Sequence, residues 1–121
     1  MDLHLTSEQA LLRDSAAKFI GTAGAKVARG YRGREPSFAP ARLREAADAG
    51  WLGMLVPEPL GGLGLGLTEL ALVIEQAGRG LVCEPIGLAA ISAAALAQGH
   101  APHPMLDKVM TGAALVVPAL Q

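Results

Sequence analysis

Apolar residues in the first quarter of the chain recur at helical spacing, and they are Leu12, Ala16, Phe19, Ala23 and Val27. Intervals of three and four predict one face of an amphipathic helix. Thr6 and Gln9 precede this face and have the spacing of a capping box, in which each side chain binds the other residue's backbone amide. Gly21 and Gly24 each weaken a helix by about 1 kcal/mol relative to Ala. We therefore predict a first helix that begins after Thr6 and ends between residues 20 and 29.

Four further helices are predicted, for a total of about five. They run from Pro40 to Gly50, from a Thr68 cap to Gly78-Arg79-Gly80, over Ile86–Gln98 and over Met105–Thr111. Gly50 has the position of a left-handed helix stop. The predicted buried stripe of the third helix consists of Leu70, Val73, Ile74 and Ala77. The Ile86–Gln98 helix is apolar nearly all round, which indicates a helix buried on several sides or covered by another part of a protein.

Residues 50–68, the proline–glycine loop, separate a polar front half from a nearly charge-free back half. Pro57 and Pro59 exclude helix interior and central strand. The spacing of Gly61 and Gly66 resembles a phosphate-binding loop, but Leu67 stands where the lysine belongs. The third glycine of a dinucleotide fingerprint is also missing. A structural turn is therefore the favoured interpretation, with nucleotide binding as the alternative.

The end of the chain has a different pattern. Residues 113–117 are apolar and read as the start of a strand, although no partner strand is predicted elsewhere. An apolar strand without a sheet indicates the beginning of a second domain. We predict an all-α helical bundle over residues 1–112 and the first strand of a β domain over residues 113–121.

Composition narrows the class of protein. Of 121 residues, 51% are hydrophobic and only 3% aromatic, so the core must consist of Leu, Ala and Val, which favours helices. A net charge of −1 with interspersed signs offers no footprint for nucleic acid. Cys83 is the single cysteine, which excludes an internal disulfide and fits a reducing cytoplasm. The start lacks the pattern of a signal peptide, and the apolar run 85–97 is too short for a membrane span.

Candidate chemistry is sparse. No serine has a histidine at a suggestive spacing, so no catalytic set is predicted. His100 and His103 are separated by prolines and lack a neighbouring Cys or carboxylate, so we predict no metal site. The basic segment 29–34 is either a solvated connector or a phosphate contact. Glu58, in the loop, and Glu84, before the apolar helix, are the two acids whose positions invite a function, with capping as the alternative.

The order of four motifs resembles the N-terminal helical domain of the acyl-CoA dehydrogenase family. The motifs are Thr6-Ser7-Glu8-Gln9, Ala49-Gly50-Trp51-Leu52-Gly53, Val56-Pro57-Glu58-x-x-Gly61-Gly62-x-Gly64 and Glu75-x-x-Gly78-Arg79. The resemblance covers about residues 3–118. The continuation Gly78-Arg79-Gly80-Leu81 to Glu84-Pro85 further resembles members that form mixed assemblies and act on bulky acyl groups such as steroid side chains.

This resemblance implies an α,β-dehydrogenation of an acyl-CoA thioester, in which a glutamate removes the α proton and FAD accepts the β hydride. It implies three domains and homo- or hetero-oligomers. The flavin-contacting segment and the catalytic base would lie beyond residue 121, so no catalytic or cofactor-binding residue is predicted here. The first domain of this family walls the far end of the acyl pocket. By position, Leu88, Ile91 and Ser92 are the candidate acyl-chain contacts.

Three functions remain open. The chain is the first domain of a flavin-dependent acyl-CoA dehydrogenase, a non-catalytic helical subunit or acyl-binding module that completes a partner's pocket, or a stand-alone carrier with a closed pocket. The first two predict exposed apolar surface on the helix at residues 86–97 and self-association of the isolated chain.

Overall fold

Six α-helices and two short 3-10 helices make up the fold in a computed structural model, which describes residues 3–21, 24–99 and 101–119. The α-helices are α1 (Ser7–Ile20), α2 (Gly24–Tyr31), α3 (Pro40–Asp48), α4 (Leu67–Arg79), α5 (Ile86–Leu96) and α6 (Leu106–Met110). The 3-10 helices are Trp51–Gly53 and Glu58–Leu60. The predicted all-α class is confirmed.

The start of α1 forms as predicted. The Thr6 hydroxyl accepts from the Gln9 amide at 3.1 Å, and the Thr6 amide donates to Gln9 Oε1 at 3.0 Å. The helix ends at Ile20, where Gly21 takes a φ of 63°. A separate helix, α2, starts at Gly24. The single helix face predicted through Val27 is therefore divided between two helices. This division explains why the structure has six α-helices where about five were predicted. Ala23, which belongs to the same predicted face, lies outside the described residues.

Helix α3 begins at Pro40, whose fixed φ suits a first turn. The chain leaves α3 through Gly50, which adopts the left-handed conformation with φ 86°. A Cβ atom at Gly50 would also approach Leu63 Cδ1 to 2.9 Å. Glycine is required here for both reasons, and the predicted helix stop is confirmed.

The start of α4 differs from the prediction. Thr68 lies inside the helix, and Gly66 is the N-cap residue. The Gly66 amide donates to Glu69 Oε2 at 3.0 Å, which is the half of a capping box that requires no side chain on the N-cap residue. The predicted stripe is also partly wrong, because Ile74 is 37% exposed. Gln76 is buried in the stripe instead.

Glu69 links α4 to α1. Its Oε1 accepts from Gln9 Nε2 at 2.9 Å, so the glutamine of the α1 capping box binds the glutamate that accepts from the N-cap amide of α4. The hydrogen bond from Gln9, followed by backbone amide bonds, holds the pKa of Glu69 below its ordinary value of 4.5. This contact fixes the two helices, which pack along their length.

The core has two parts. The larger one surrounds Trp51 and Leu52 and joins α1, α3, α4 and the first half of α5. The smaller one surrounds Val56 and joins the second half of α5 to α6. Trp51, 3% exposed, fills the junction between helices as predicted. Helix α5 belongs to both parts, so it is the central element of the fold.

Residues 113–119 follow α6 without helix, and no strand occurs within residues 3–21, 24–99 and 101–119. A strand requires a neighbouring backbone for its hydrogen bonds, and residues 120–121, the end of the predicted β segment, lie outside the described part. The division into residues 1–112 and 113–121 stays a prediction. None of the described helices is long and apolar enough to cross a bilayer.

Candidate functional site

Helix α5 carries an apolar stripe that faces away from the core. Ile86, Ala89, Ala90 and Ala93 are buried against the 3-10 helix at Trp51 and against α6. Leu88 and Ile91, three residues apart and therefore neighbours on the helix surface, are 44% and 48% exposed. Ala95, one turn further, is exposed as well. We call Leu88, Ile91 and Ala95 the outer stripe of α5.

The third residue predicted to contact an acyl chain, Ser92, lies in a different environment. Its side chain is buried, and its hydroxyl donates to the Val116 carbonyl at 2.6 Å. Ser92 therefore ties α5 to the segment after α6. The structure brings Leu88 and Ile91 together on one surface, and it places Ser92 beneath them in a structural hydrogen bond.

The amides of residues 61–66, the glycine-rich part of the proline–glycine loop, are engaged by the protein itself. Six successive amides donate within the protein, with N···O distances between 2.8 and 3.2 Å: Gly61 to Glu58, Gly62 to Pro57, Leu63 to Gly53, Gly64 to Val56, Leu65 to Met54 and Gly66 to Glu69. A phosphate-binding loop needs these amides free to face its ligand. The loop is therefore a structural turn, and it does not fit the phosphates of a nucleotide or of FAD.

Arg42 and Glu84 form a polar cluster near the start of α5, and the sequence analysis identified only Glu84. Arg42, on α3, donates from Nη2 to the Phe19 carbonyl at 3.0 Å, and its guanidinium lies 4.3 Å from the centre of the Phe19 ring. The Phe19 ring meets Trp51 edge-on, with 4.8 Å between ring centres. Arg42 Nε also lies 3.7 Å from Glu84 Oε1, and the Glu84 side chain is only 8% exposed. The sequence pointed to Glu84, but no local pattern could have pointed to Arg42.

This cluster lies at the edge of a cavity of about 520 Å³. The cavity is lined by the end of α1, by α2, by Arg42 and by residues 80–84, the connector between α4 and α5. Neither Leu88 nor Ile91 lines this cavity.

The remaining candidate groups do not form a catalytic or metal site. Within the described residues, no three His, Cys, Asp or Glu side chains come together as metal ligands. His100 lies outside that part of the chain. Arg29 and Arg32 border a shallow hollow of about 330 Å³ with Tyr31 and Ser37, so both interpretations of this basic segment, solvated connector and phosphate contact, stay predictions.

Known proteins match this architecture. The family model "Acyl-CoA dehydrogenase, N-terminal domain" matches residues 6–102. Benzylmalonyl-CoA dehydrogenase of Aromatoleum aromaticum is 38% identical over 80 residues, which cover 66% of this chain and 21% of that protein. A solved variant of the Tcur3481-Tcur3483 steroid ACAD has a TM-score of 0.69 and 29% identity, and the match covers 87% of this chain and 30% of that one.

The all-helical fold and these matches define the class, an acyl-CoA dehydrogenase N-terminal helical domain. The chain belongs to the acyl-CoA dehydrogenase family. It spans between a fifth and a third of the length of the two relatives described.

Proposed function

We propose that this chain is the N-terminal domain of a flavin-dependent acyl-CoA dehydrogenase and that the outer stripe of α5 forms part of the wall of the acyl pocket. The proposal rests above all on Leu88 and Ile91. Two large apolar side chains that are nearly half exposed on one helix face leave apolar surface in water unless a ligand or a partner surface covers them.

The outer stripe of α5 is suited to bind an apolar group and not to carry out a chemical step. It contains only Leu88, Ile91 and Ala95, none of which can move a proton. Its contribution to an acyl pocket would be to bind the apolar part of the acyl group and to exclude water from it. The buried side of α5, anchored in both parts of the core, keeps this wall rigid.

We further propose a bulky acyl group as the substrate. Ala95 continues the stripe with a small side chain, which leaves room beside Ile91. The names of the similar proteins point in the same direction, since one acts on benzylmalonyl-CoA and the other is a steroid ACAD. The cofactor FAD would be held by other segments or by a partner subunit, because the described residues offer no cradle for it.

The experiment is a visible absorption spectrum of the protein purified from its native source, before and after anaerobic addition of an aromatic acyl-CoA. Flavin bands that bleach on addition support the proposal. A colourless preparation that still binds the acyl-CoA indicates instead the accessory acyl-binding subunit. A colourless preparation that binds no acyl-CoA contradicts both.

A matched pair of variants tests the role of the stripe. Ile91→Asp places a charge in the proposed wall, and desolvating that charge against an apolar acyl group is unfavourable. We expect the dissociation constant for the acyl-CoA to rise about tenfold or more, equivalent to at least about 1.4 kcal/mol. Leu11→Asp is the control, because Leu11 is 67% exposed and lies on a different helix, α1. Equal effects of the two variants would argue against the wall.

A further inference from the structure

The cavity beside the connector between α4 and α5 has the features of a binding site in its own right. Its volume, about 520 Å³, lies within the range of about 300–1,000 Å³ that is typical of small-molecule sites. It is separate from the outer stripe of α5, whose large side chains do not line it.

Slightly more than half of the cavity wall is apolar. Ile20 and Val27 line the side formed by α1 and α2, and Leu81 and Val82 line the side formed by the connector. The backbone of Leu81 adopts φ 51°, a left-handed conformation that apolar residues rarely take. Val27 and Leu81 are 46% and 52% exposed, so the cavity presents apolar surface to water when it is empty.

One end of the cavity carries a carboxylate with unused hydrogen-bonding capacity. Glu84 lines the cavity, and its side chain is 92% buried, being 8% exposed. Its contact with Arg42 Nε, at 3.7 Å, is too long for a hydrogen bond. Among the described residues, the Glu84 side chain accepts no hydrogen bond from the protein, and no side-chain oxygen there is both fully buried and without a partner. The Glu84 carboxylate oxygens therefore reach the solvent of the cavity, where a ligand can replace water at their acceptor sites.

The charges of Glu84 and Arg42 determine which kind of ligand this end of the cavity can bind. Arg42 balances Glu84, and Arg42 is itself engaged by the Phe19 carbonyl at 3.0 Å and by Glu45 at 3.5 Å. The Glu84 carboxylate would repel an anionic ligand, and the Arg42 guanidinium would repel a cationic one. An uncharged group that donates a hydrogen bond meets neither repulsion and can replace water at the Glu84 carboxylate.

We propose that this cavity binds a small apolar alcohol, with its hydrocarbon part against Ile20, Val27 and Val82 and its hydroxyl donating to Glu84. The site does not depend on the dehydrogenase function, so its test and that of the acyl wall can fail separately.

The test compares two isomers by titration calorimetry on the 121-residue chain: 1-nonanol, which can donate a hydrogen bond, and methyl octyl ether, which cannot. A hydrogen bond to a charged acceptor corresponds to about a tenfold difference in affinity. We expect 1-nonanol to bind about tenfold more tightly. Equal dissociation constants for the two, or no binding of 1-nonanol up to its solubility, would overturn the proposal.

Three variants test whether the preference for 1-nonanol arises at Glu84 in this cavity. Glu84→Met removes the acceptor with little change in size, and we expect the preference for the alcohol to disappear. Glu45→Gln changes the other acid beside Arg42 but not the cavity, and the preference should remain. Val27→Phe fills the cavity from an exposed position, so both ligands should lose their binding. Persistence of the preference in Glu84→Met, with circular dichroism showing native helix content, contradicts the proposal.

Cys83 provides an independent reporter of occupancy. It lines the cavity and is the only cysteine of the chain, so a maleimide labels one site. Bound 1-nonanol should slow this labelling, and methyl octyl ether at the same concentration should slow it less. Labelling rates that are unchanged by saturating 1-nonanol would place the bound alcohol elsewhere and overturn the assignment.

Discussion

Replacement of Gly62 by alanine should damage the fold severely, although it adds a single methyl group. A Cβ atom at this position would overlap the Val56 carbonyl oxygen and lie 2.5 Å from both Val56 C and Val56 Cβ. Val56 is completely buried, and its carbonyl accepts the Gly64 amide at 2.9 Å. The methyl group therefore meets main chain that is already held on both sides.

The expected loss can be worked out from these contacts. Overpacking of a filled core costs about 1–3 kcal/mol, and the upper end applies because backbone rather than the end of a side chain must move. Disturbance of the hydrogen bond to Gly64 adds about 1 kcal/mol. Together these terms lower the free energy of unfolding by about 4 kcal/mol. At about 4 °C per kcal/mol for a domain of this size, the melting temperature should fall by about 16 °C.

Gly78→Ala is the matched control for this prediction. Gly78 lies inside α4, and a Cβ atom there would have no neighbour within 4 Å. The same chemical change should therefore stabilise the protein by about 0.8–1 kcal/mol through helix propensity. Thermal melts followed by circular dichroism compare the two. A Gly62→Ala melting temperature within about 3 °C of the wild-type value would refute the steric reasoning.

Three further predictions concern polar contacts. Thr6→Ala should lower stability by about 1 kcal/mol through loss of the α1 capping box, whereas Thr6→Ser, which keeps the hydroxyl, should melt close to wild type. Ser92→Ala should lower stability by about 1–2 kcal/mol, because the Val116 carbonyl loses its donor, and should speed hydrogen exchange in residues 113–117; unchanged exchange would contradict this link. Since the hydrogen bond from Gln9 holds the pKa of folded Glu69 below its ordinary value of 4.5, Glu69 stabilises the fold above that pH, and this contribution is lost as the pH falls through the folded value. The melting temperature of Glu69→Gln should therefore converge on that of wild type in acid, and parallel pH profiles would contradict the assignment.

Features that depend on neighbouring residues in the chain could be predicted from the sequence. The capping box at Thr6, the helix stop at Gly50 and the apolar character of α5 each follow from residues within one or two turns. The start of α4 was missed by two residues, because Thr68 is an ordinary cap candidate and Gly66 carries no side chain. The Gly66 amide is bound by the Glu69 side chain. The sequence shows that Glu69 lies in the first turn, but only the folded loop determines which amide its side chain meets.

Contacts between distant segments could not be predicted in this way. Arg42 lies on α3 and Glu84 on the connector before α5, and both helices pack on the 3-10 helix at Trp51. Only this tertiary arrangement brings the two side chains together. The same holds for Ser92, which the family resemblance placed among the acyl contacts and which the structure shows in a bond to Val116. The inward direction of the loop amides likewise depends on backbone geometry that a glycine pattern does not specify.

The central claim, that α5 walls an acyl pocket, is tested most directly by photolabelling. The natively purified protein would be irradiated with an aromatic acyl-CoA that carries a diazirine at the far end of its acyl group, and the labelled residues would be mapped by peptide mass spectrometry. We predict labels on Leu88 and Ile91 that excess unlabelled acyl-CoA suppresses. Labels confined to other exposed apolar positions, such as Leu11 or Leu67, would contradict the claim.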